Sequence, residues 1–296
     1  MEVVDQFLQY LRVEKRYSPH TIIAYHTDLE QFCAFEPINQ DQQSLINVNG
    51  KIIRSWIISL IDNNVTNRSV HRKITSLKSF YRFLQRKELV KTNPASKIVV
   101  PGLEKRLPEF LPQKNINLYL DNTSGIEENF SAFRDVLILE VFYDTGMRLS
   151  ELIGLKDQDI DFQNLSLRVT GKRNKQRIIP LSLELTKTLK SFIQLKDQFF
   201  NSVQDRFLFV NDKGKKLYPM FVYRLVKDHL SAVTTASKRS PHVLRHSFAT
   251  HMLNNGADIN SIKEILGHAN LAATQVYTHT TFEKLKEIYK QAHPRA

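Results

Sequence analysis

The stretch LSLRVTGKRNKQRIIPLS, residues 165–182, stands apart from its surroundings. Apolar and polar residues alternate on both sides of a polar, glycine-containing turn, which is the period of strands and predicts a β-hairpin. A third short strand is expected just before it, near Asp159–Phe162. On either side the apolar residues return to helical spacing. The expected fold is therefore mainly α with a small antiparallel β-sheet.

The first hundred residues read as helices. Ser18 and Pro19 form a start signal, an N-cap hydroxyl followed by a proline at the first helical position. Ile22, Tyr25, Leu29 and Phe32 then recur at helical spacing. A further helix is expected around 51–61, with Ile52, Ile53, Trp56, Ile57 and Leu60. In NRSVHRKITSLKSFYRFLQRKELVK (67–91), Val70, Ile74, Leu77, Tyr81 and Leu84 make one apolar stripe. Arg68, Arg72, Thr75, Ser79, Arg82 and Arg86 fall on roughly the opposite face. The segment holds eight Lys/Arg and one acid, Glu88. Arginines alternating with hydroxyls suit phosphates and groove edges, so this face is a candidate DNA-binding surface.

NPASKIVVPGLEKRLPEFLP (93–112) holds four prolines and a glycine and reads as a connector. The expected organisation is a helical domain over 1–100, a linker over 101–111 and a second domain over 112–296. That second domain opens with helices leading into DTGMRLSELIGL (144–155), passes through the hairpin, and returns to helices after Pro180.

With 296 residues the chain has room for two cores. Its net charge is +12. Residues 1–105 carry 15 Lys/Arg against 10 Asp/Glu, and the remainder 27 against 20, so both parts are basic. A polyanion gripped from two sides fits that better than a single basic tail. One cysteine, Cys33, leaves no internal disulfide framework and no cysteine-based zinc site. The first residues carry acids where a signal peptide needs bases, and no apolar run approaches a membrane span. A cytoplasmic protein without a membrane partner is expected.

The candidate chemistry lies in SPHVLRHSFATHML (240–253) and LGHANLAATQVYTH (266–279). Ser240 and Pro241 mark a helix start, which puts His242 in the first turn and Arg245 on nearly the same face. His242 and His246 have the spacing of a zinc-protease helix, but the intervening residues are Val243, Leu244 and Arg245. The catalytic glutamate is missing and a cation sits beside the site, so no metal is expected. Tyr277 follows a helix end at Gly267 and a histidine, His268. A phenol with a pKa near ~10 is a poor nucleophile at neutral pH. Neighbouring cations would make it useful against a phosphodiester, whose transition state spreads negative charge over non-bridging oxygens. Arginine forks suit that charge, and a lysine or histidine can protonate the leaving oxygen.

TGMRLSEL, HVLRH, LGH and Tyr277, in that order, resemble the tyrosine recombinase (phage integrase) family, and LRHSFATHMLNNGADINSIKEILGHANLAATQVYTH resembles its Xer type. The resemblance runs over nearly the whole chain. It implies a two-domain C-shaped clamp on DNA: a helical core-binding domain and an α/β catalytic domain with a C-terminal exchange helix. Matched position by position, it implies Tyr277 as nucleophile with Arg148, Lys172, His242, Arg245 and His268 as catalytic partners, and Glu151 in support. His246 is expected to be structural. The family's usual hairpin GKGNK reads GKRNK here, so Arg173 replaces a glycine and places a second cation beside the DNA, with Lys175 as a further DNA contact. Lys175 and Arg177 are rivals to Lys172 for the hairpin lysine's role.

The implied reaction cuts and rejoins DNA through a 3′-phosphotyrosyl intermediate, with neither ATP, metal nor other cofactor. The implied partners are a double-stranded recombination site, three further protomers in a tetramer on two duplexes (this chain or a second Xer paralogue), and a translocase of the FtsK type. Resolution of chromosome dimers at cell division is the expected role. The alternatives are an integrase or transposase of a mobile element, a non-catalytic DNA-binding regulator, and a monomeric relaxase resembling type IB topoisomerases.

Overall fold

The computed structural model of the chain describes residues 2–35, 42–99, 102, 109–122, 129–171, 174–200, 206–234, 238–267 and 279–295. It divides into two units, Met1–Arg106 and Leu107–Ala296.

The first unit is built from α1 (Glu2–Val13), α2 (Pro19–Cys33), α3 (Gln42–Ile46), α4 (Gly50–Asp62) and α5 (Asn67–Arg86). Ser18 caps α2 by accepting the Thr21 N–H, with Pro19 in the first turn. α5 is the centre of this unit. Its stripe of Val70, Ile74, Leu77, Tyr81 and Leu84 is buried, and α1, α2 and α4 pack around it. The hydrophobic face predicted from spacing is the face that leaves water. The Thr66 hydroxyl caps the helix start, and the Tyr81 hydroxyl donates to the Leu45 carbonyl.

A buried ion cluster fastens α2 to α5. Asp28, 1% exposed, accepts from Arg72 Nη1 at 2.5 Å, Lys73 Nζ at 3.0 Å and Ser76 Oγ at 2.9 Å. Lys73 also reaches Gln31. A carboxylate so far from water needs this ring of donors, since an uncompensated buried charge costs several kcal/mol, on the order of 3–5.

The second unit contains α6 (Gln113–Asp121), α7 (Phe130–Thr145), α8 (Leu149–Gly154), β1 (Ile160–Asp161), β2 (Ser166–Thr170), β3 (Gln176–Pro180), α9 (Leu183–Phe199), α10 (Pro219–Val233), α11 (Pro241–Asn254), α12 (Ile259–Leu266) and α13 (His279–Ala292). α7 runs through the core between α9 and α11, with Leu137, Ile138, Phe142 and Tyr143 almost wholly buried. The three strands form an antiparallel sheet in the order β1-β2-β3, so the hairpin and the short strand before it are both present. Leu167 pairs with Ile179 and Val169 with Arg177. The Gly171 N–H closes the hairpin on the Lys175 carbonyl at 2.8 Å.

Leu111 is fully buried in this second core, and its N–H donates to Ser247 Oγ at 2.8 Å. The last residues of the expected 101–111 linker therefore already belong to the second unit. Residues 101 and 103–108 lie outside the described residues.

α13 packs on α11 and β3 of its own unit. Leu285, Tyr289 and Ala292 are each 2% exposed, and Ile288 joins the same core. The Tyr289 hydroxyl donates to the Asp144 carbonyl at 3.1 Å, and Asn255 Nδ2 donates to the Ala292 carbonyl at 2.9 Å. In this single chain the expected exchange helix thus covers its own domain. Leu285 and Ile288 satisfy their apolar area within this unit. Among the described residues no helix is long and apolar enough to cross a membrane.

Candidate active site

Two left-handed glycines place the site. Gly146 ends α7 at φ +58°, and Gly267 ends α12 at φ +67°. A Cβ on Gly146 would lie 2.5 Å from Phe248 Cδ1 and 2.8 Å from Leu266 Cδ2. Only glycine lets the end of α7 approach α11 and α12 this closely. Gly146→Ala is therefore expected to cost about 2–5 kcal/mol, from left-handed backbone strain and overpacking together. Chemical denaturation would measure it, and an unchanged midpoint would refute the close-approach argument.

Arg148 follows as the N-cap residue of α8, half-buried. Its backbone N–H and its Nη1 both donate to the Glu151 carboxylate at 2.8 Å, and its Nη2 donates to the Gly267 carbonyl at 3.1 Å. Arg245, on α11, donates Nη1 to the Gly146 carbonyl at 2.6 Å and Nη2 to the Leu266 carbonyl at 2.8 Å. Arg177, on β3, donates Nη1 and Nη2 to the two oxygens of Glu151 at 2.9 and 2.8 Å, and Nε to the Ile265 carbonyl at 2.6 Å. Three consecutive carbonyls at the end of α12 thus receive three guanidinium groups from three elements. The last carbonyls of a helix lack intrahelical partners and carry the negative end of its dipole, which is why cations collect there.

The charges do not balance. Arg148, Arg177 and Arg245 surround one carboxylate, Glu151. Burial works to raise the Glu151 carboxyl, but the hydrogen bonds and charge of Arg177, with the bonds of Arg148, hold it down at about 2. Burial first, then repulsion from Arg148 and Arg177, lowers Arg245 to about 10. It remains charged at neutral pH, in a place short of negative charge. A phosphodiester oxygen would supply what is missing.

His242 is exposed in the first turn of α11, three residues before Arg245, while His246 is half-buried on the same helix. The Ser240–Pro241 start is present, although the Ser240 hydroxyl makes no cap bond. Lys172, Arg173, His268 and Tyr277 lie outside the described residues. Of the expected catalytic set, the described structure brings Arg148, Glu151 and Arg245 together. It adds Arg177, which the resemblance placed only as a rival to Lys172. The signal for it was available: in QRIIP, Arg177 is in phase with Ile179, so it falls on the inward side of the strand. Lys175, at the hairpin tip, is exposed.

On α5, the six residues expected on the DNA face divide. Arg68, Arg72, Thr75, Arg82 and Arg86 are exposed and Ser79 is half-buried. Arg72 is committed to Asp28 and to the Ala24 carbonyl. Arg86 donates to the Tyr10 hydroxyl at 2.5 Å and lies over that ring. Thr75 donates to the His71 carbonyl. Arg72 and Arg86 thus have internal partners that a phosphate would compete with, because α2 and α1 pack within reach of the face.

The family profile "Phage integrase family" matches residues 109–284, and "Phage integrase, N-terminal SAM-like domain" matches residues 4–88. Tyrosine recombinase XerC of Chlorobaculum parvum is 39% identical, covering 99% of this chain and 94% of that protein. Tyrosine recombinase XerC of Staphylococcus saprophyticus is 37% identical, covering 100% of this chain and 99% of that protein. Among solved structures, XerA recombinase is 28% identical over 100% of both chains, with a TM-score of 0.50. XerH site-specific recombinase, in a post-cleavage complex with palindromic difH substrate, has the same fold. Its TM-score is 0.72 at 22% identity, covering 96% of this chain and 83% of that one. The match of both domain profiles, and the likeness to XerC proteins over almost the whole length, show that this chain belongs to the phage integrase family of tyrosine recombinases.

Proposed function

We propose that this chain is a Xer-type site-specific recombinase that resolves chromosome dimers at cell division, in the cytoplasm. The observation that carries the reading is the surplus of guanidinium charge around Glu151, at the residues that TGMRLSEL and HVLRH contribute. In the proposed reaction Tyr277 attacks the scissile phosphate, forming a 3′-phosphotyrosyl bond and releasing a 5′-hydroxyl. Arg148 and Arg245 hold the non-bridging oxygens, and His242 and His268 donate hydrogen bonds and manage the phenol's proton. Lys172 protonates the departing 5′-oxygen, which would otherwise leave as an alkoxide. A 5′-hydroxyl from the partner duplex then attacks the phosphotyrosine and restores the backbone. The ester keeps the bond energy, so neither ATP nor metal enters the balance.

In this reading the helical unit over 1–100 and the catalytic unit over 112–296 both contact one recombination half-site. Four protomers, of this chain or with a second Xer paralogue, join two duplexes, and a translocase of the FtsK type activates the reaction. For α13 to dock on a neighbour in cyclic exchange, Leu285, Tyr289 and Ala292 must first release the core of their own unit. A plasmid carrying two directly repeated chromosomal resolution sites tests the assignment. Two product circles, each with one site, are expected when protein, paralogue and translocase are present. Relaxed circles without recombinants would instead identify a monomeric relaxase.

The basic face of α5 makes a separate prediction. Arg68 and Arg82 are each expected to neutralise one phosphate. Arg68→Ala or Arg82→Ala should weaken binding to all duplexes alike and reduce the slope of log affinity against log salt by about 0.9 each. An unchanged slope in titrations from low to high salt would remove that residue from the DNA face.

A further inference from the structure

We infer that Arg177 is a positioning residue for DNA cleavage: its buried guanidinium ties β3 to Glu151 and to the end of α12, and so sets where Arg148 and Arg245 stand. The inference rests on the phosphoryl-transfer reading of the site.

Arg177 is only 5% exposed, in a strand position in phase with the buried Ile179. Its fork meets Glu151 end-on with two bonds, and its Nε takes the Ile265 carbonyl. It does not reach the surface, so it does not touch DNA. Arg148 depends on both anchors that Arg177 holds: Glu151 accepts two of its N–H groups, and the carbonyl of Gly267, two residues after Ile265, accepts a third. Arg245 uses the carbonyl between them, that of Leu266. Room for this arrangement comes from Gly267, where a Cβ would lie 3.1 Å from Arg177 Cδ and Nη1. The planar fork is what joins two elements at once. A lysine at 177 keeps the charge but offers a single point, so it cannot make the paired bonds and the Nε bond together.

The role is also electrostatic. The charged groups around Glu151, among the described residues, are Arg148, Arg177 and Arg245, from the turn before α8, from β3 and from α11. Arg177 makes the largest contribution to keeping the buried carboxyl ionised. Without it, the Glu151 carboxyl rises, opposed only by the two Arg148 bonds. The wild-type carboxylate is charged at every working pH. An Arg177→Met protein should lose activity toward acid pH more steeply than wild type.

The test is single-turnover cleavage of a nicked suicide duplex across pH 5–9, with duplex affinity and thermal unfolding measured in parallel. Adduct formation by wild type secures the underlying reading; its absence would remove that reading before Arg177 is reached. With wild type active, Arg177→Lys should fold, bind DNA as wild type does, and cleave more slowly. Arg177→Met should cleave slower still, by on the order of 10²-fold, as expected for misplaced catalytic groups. It should also show a new acid limb that disappears in the double variant Arg177→Met/Glu151→Gln, because Gln does not titrate. A merely structural residue would not create that limb. If Arg177→Met fails to fold, the Arg177→Lys rate alone decides. A lysine protein that cleaves at the wild-type rate and with the wild-type pH profile overturns the inference.

Discussion

Phenylalanine at position 277 should abolish the covalent protein–DNA adduct while leaving DNA binding intact. The substitution keeps the ring and removes one oxygen, the atom proposed to attack phosphorus. No neighbouring hydroxyl can replace it without moving into line with the leaving 5′-oxygen, since displacement at phosphorus requires the attacking and leaving groups roughly opposite one another. The measurement uses a duplex nicked next to the scissile phosphate, so that the released 5′-hydroxyl fragment diffuses away and the adduct accumulates. Protein and DNA are incubated in EDTA without ATP and resolved on a denaturing gel. Wild type should give a slower-migrating protein–DNA band and Tyr277→Phe none, with equal gel shifts under native conditions. An adduct of equal yield from the phenylalanine protein would sink the nucleophile assignment. Specific binding without an adduct from wild type, even with paralogue and translocase added, would favour the non-catalytic regulator.

Arg245→Ala should reduce the cleavage rate by on the order of 10²–10³-fold or more, as removal of one oxyanion-hole donor does. Its effect on stability should be offset in part. Loss of the guanidinium leaves the Gly146 and Leu266 carbonyls without that donor, a cost of about 1–3 kcal/mol per buried acceptor. Against that cost stands the repulsion among Arg245, Arg148 and Arg177, which helps to lower Arg245 to about 10 and which the substitution removes. The two terms oppose each other in the folded state, whereas the transition state loses a charged, two-pronged donor with no compensation. Cleavage rates and denaturant midpoints of the same preparation separate the two. A large loss of stability with a proportionate loss of activity would mean that Arg245 is a structural tie. Arg245→Lys is expected to restore the charge but little of the rate, because a single ammonium cannot span two oxygens.

Local rules were enough for much of the fold. The stripe Val70–Leu84 is a property of spacing along one helix, so it can be read without knowing what covers it. Ser18–Pro19 and Ser240–Pro241 mark helix starts for the same reason, because φ and the missing N–H of proline act on the residue itself. The hairpin at 165–182 follows from alternation. Partners brought in from elsewhere were not legible. Arg72 and Arg86 have the right exposure for a DNA face, yet Asp28 on α2 and Tyr10 on α1 occupy their donors. The tail helix shows an apolar face, but periodicity does not say whose surface that face covers. Here it covers its own domain, through Leu285, Tyr289 and Ala292.

The sequence by itself determined the family, the helical and hairpin elements, and the order of the motifs at Arg148, His242 and Arg245. Each of these is written in neighbouring residues. The clasp at the end of α12 was decided only in three dimensions. Its three carbonyls are consecutive, but the arginines that meet them lie 119, 88 and 21 residues away along the chain. Helix-end carbonyls must find donors, and three buried or half-buried guanidiniums must find acceptors. Which donor meets which acceptor depends on packing α7, α8, β3, α11 and α12 together, at a closeness that only Gly146 and Gly267 permit.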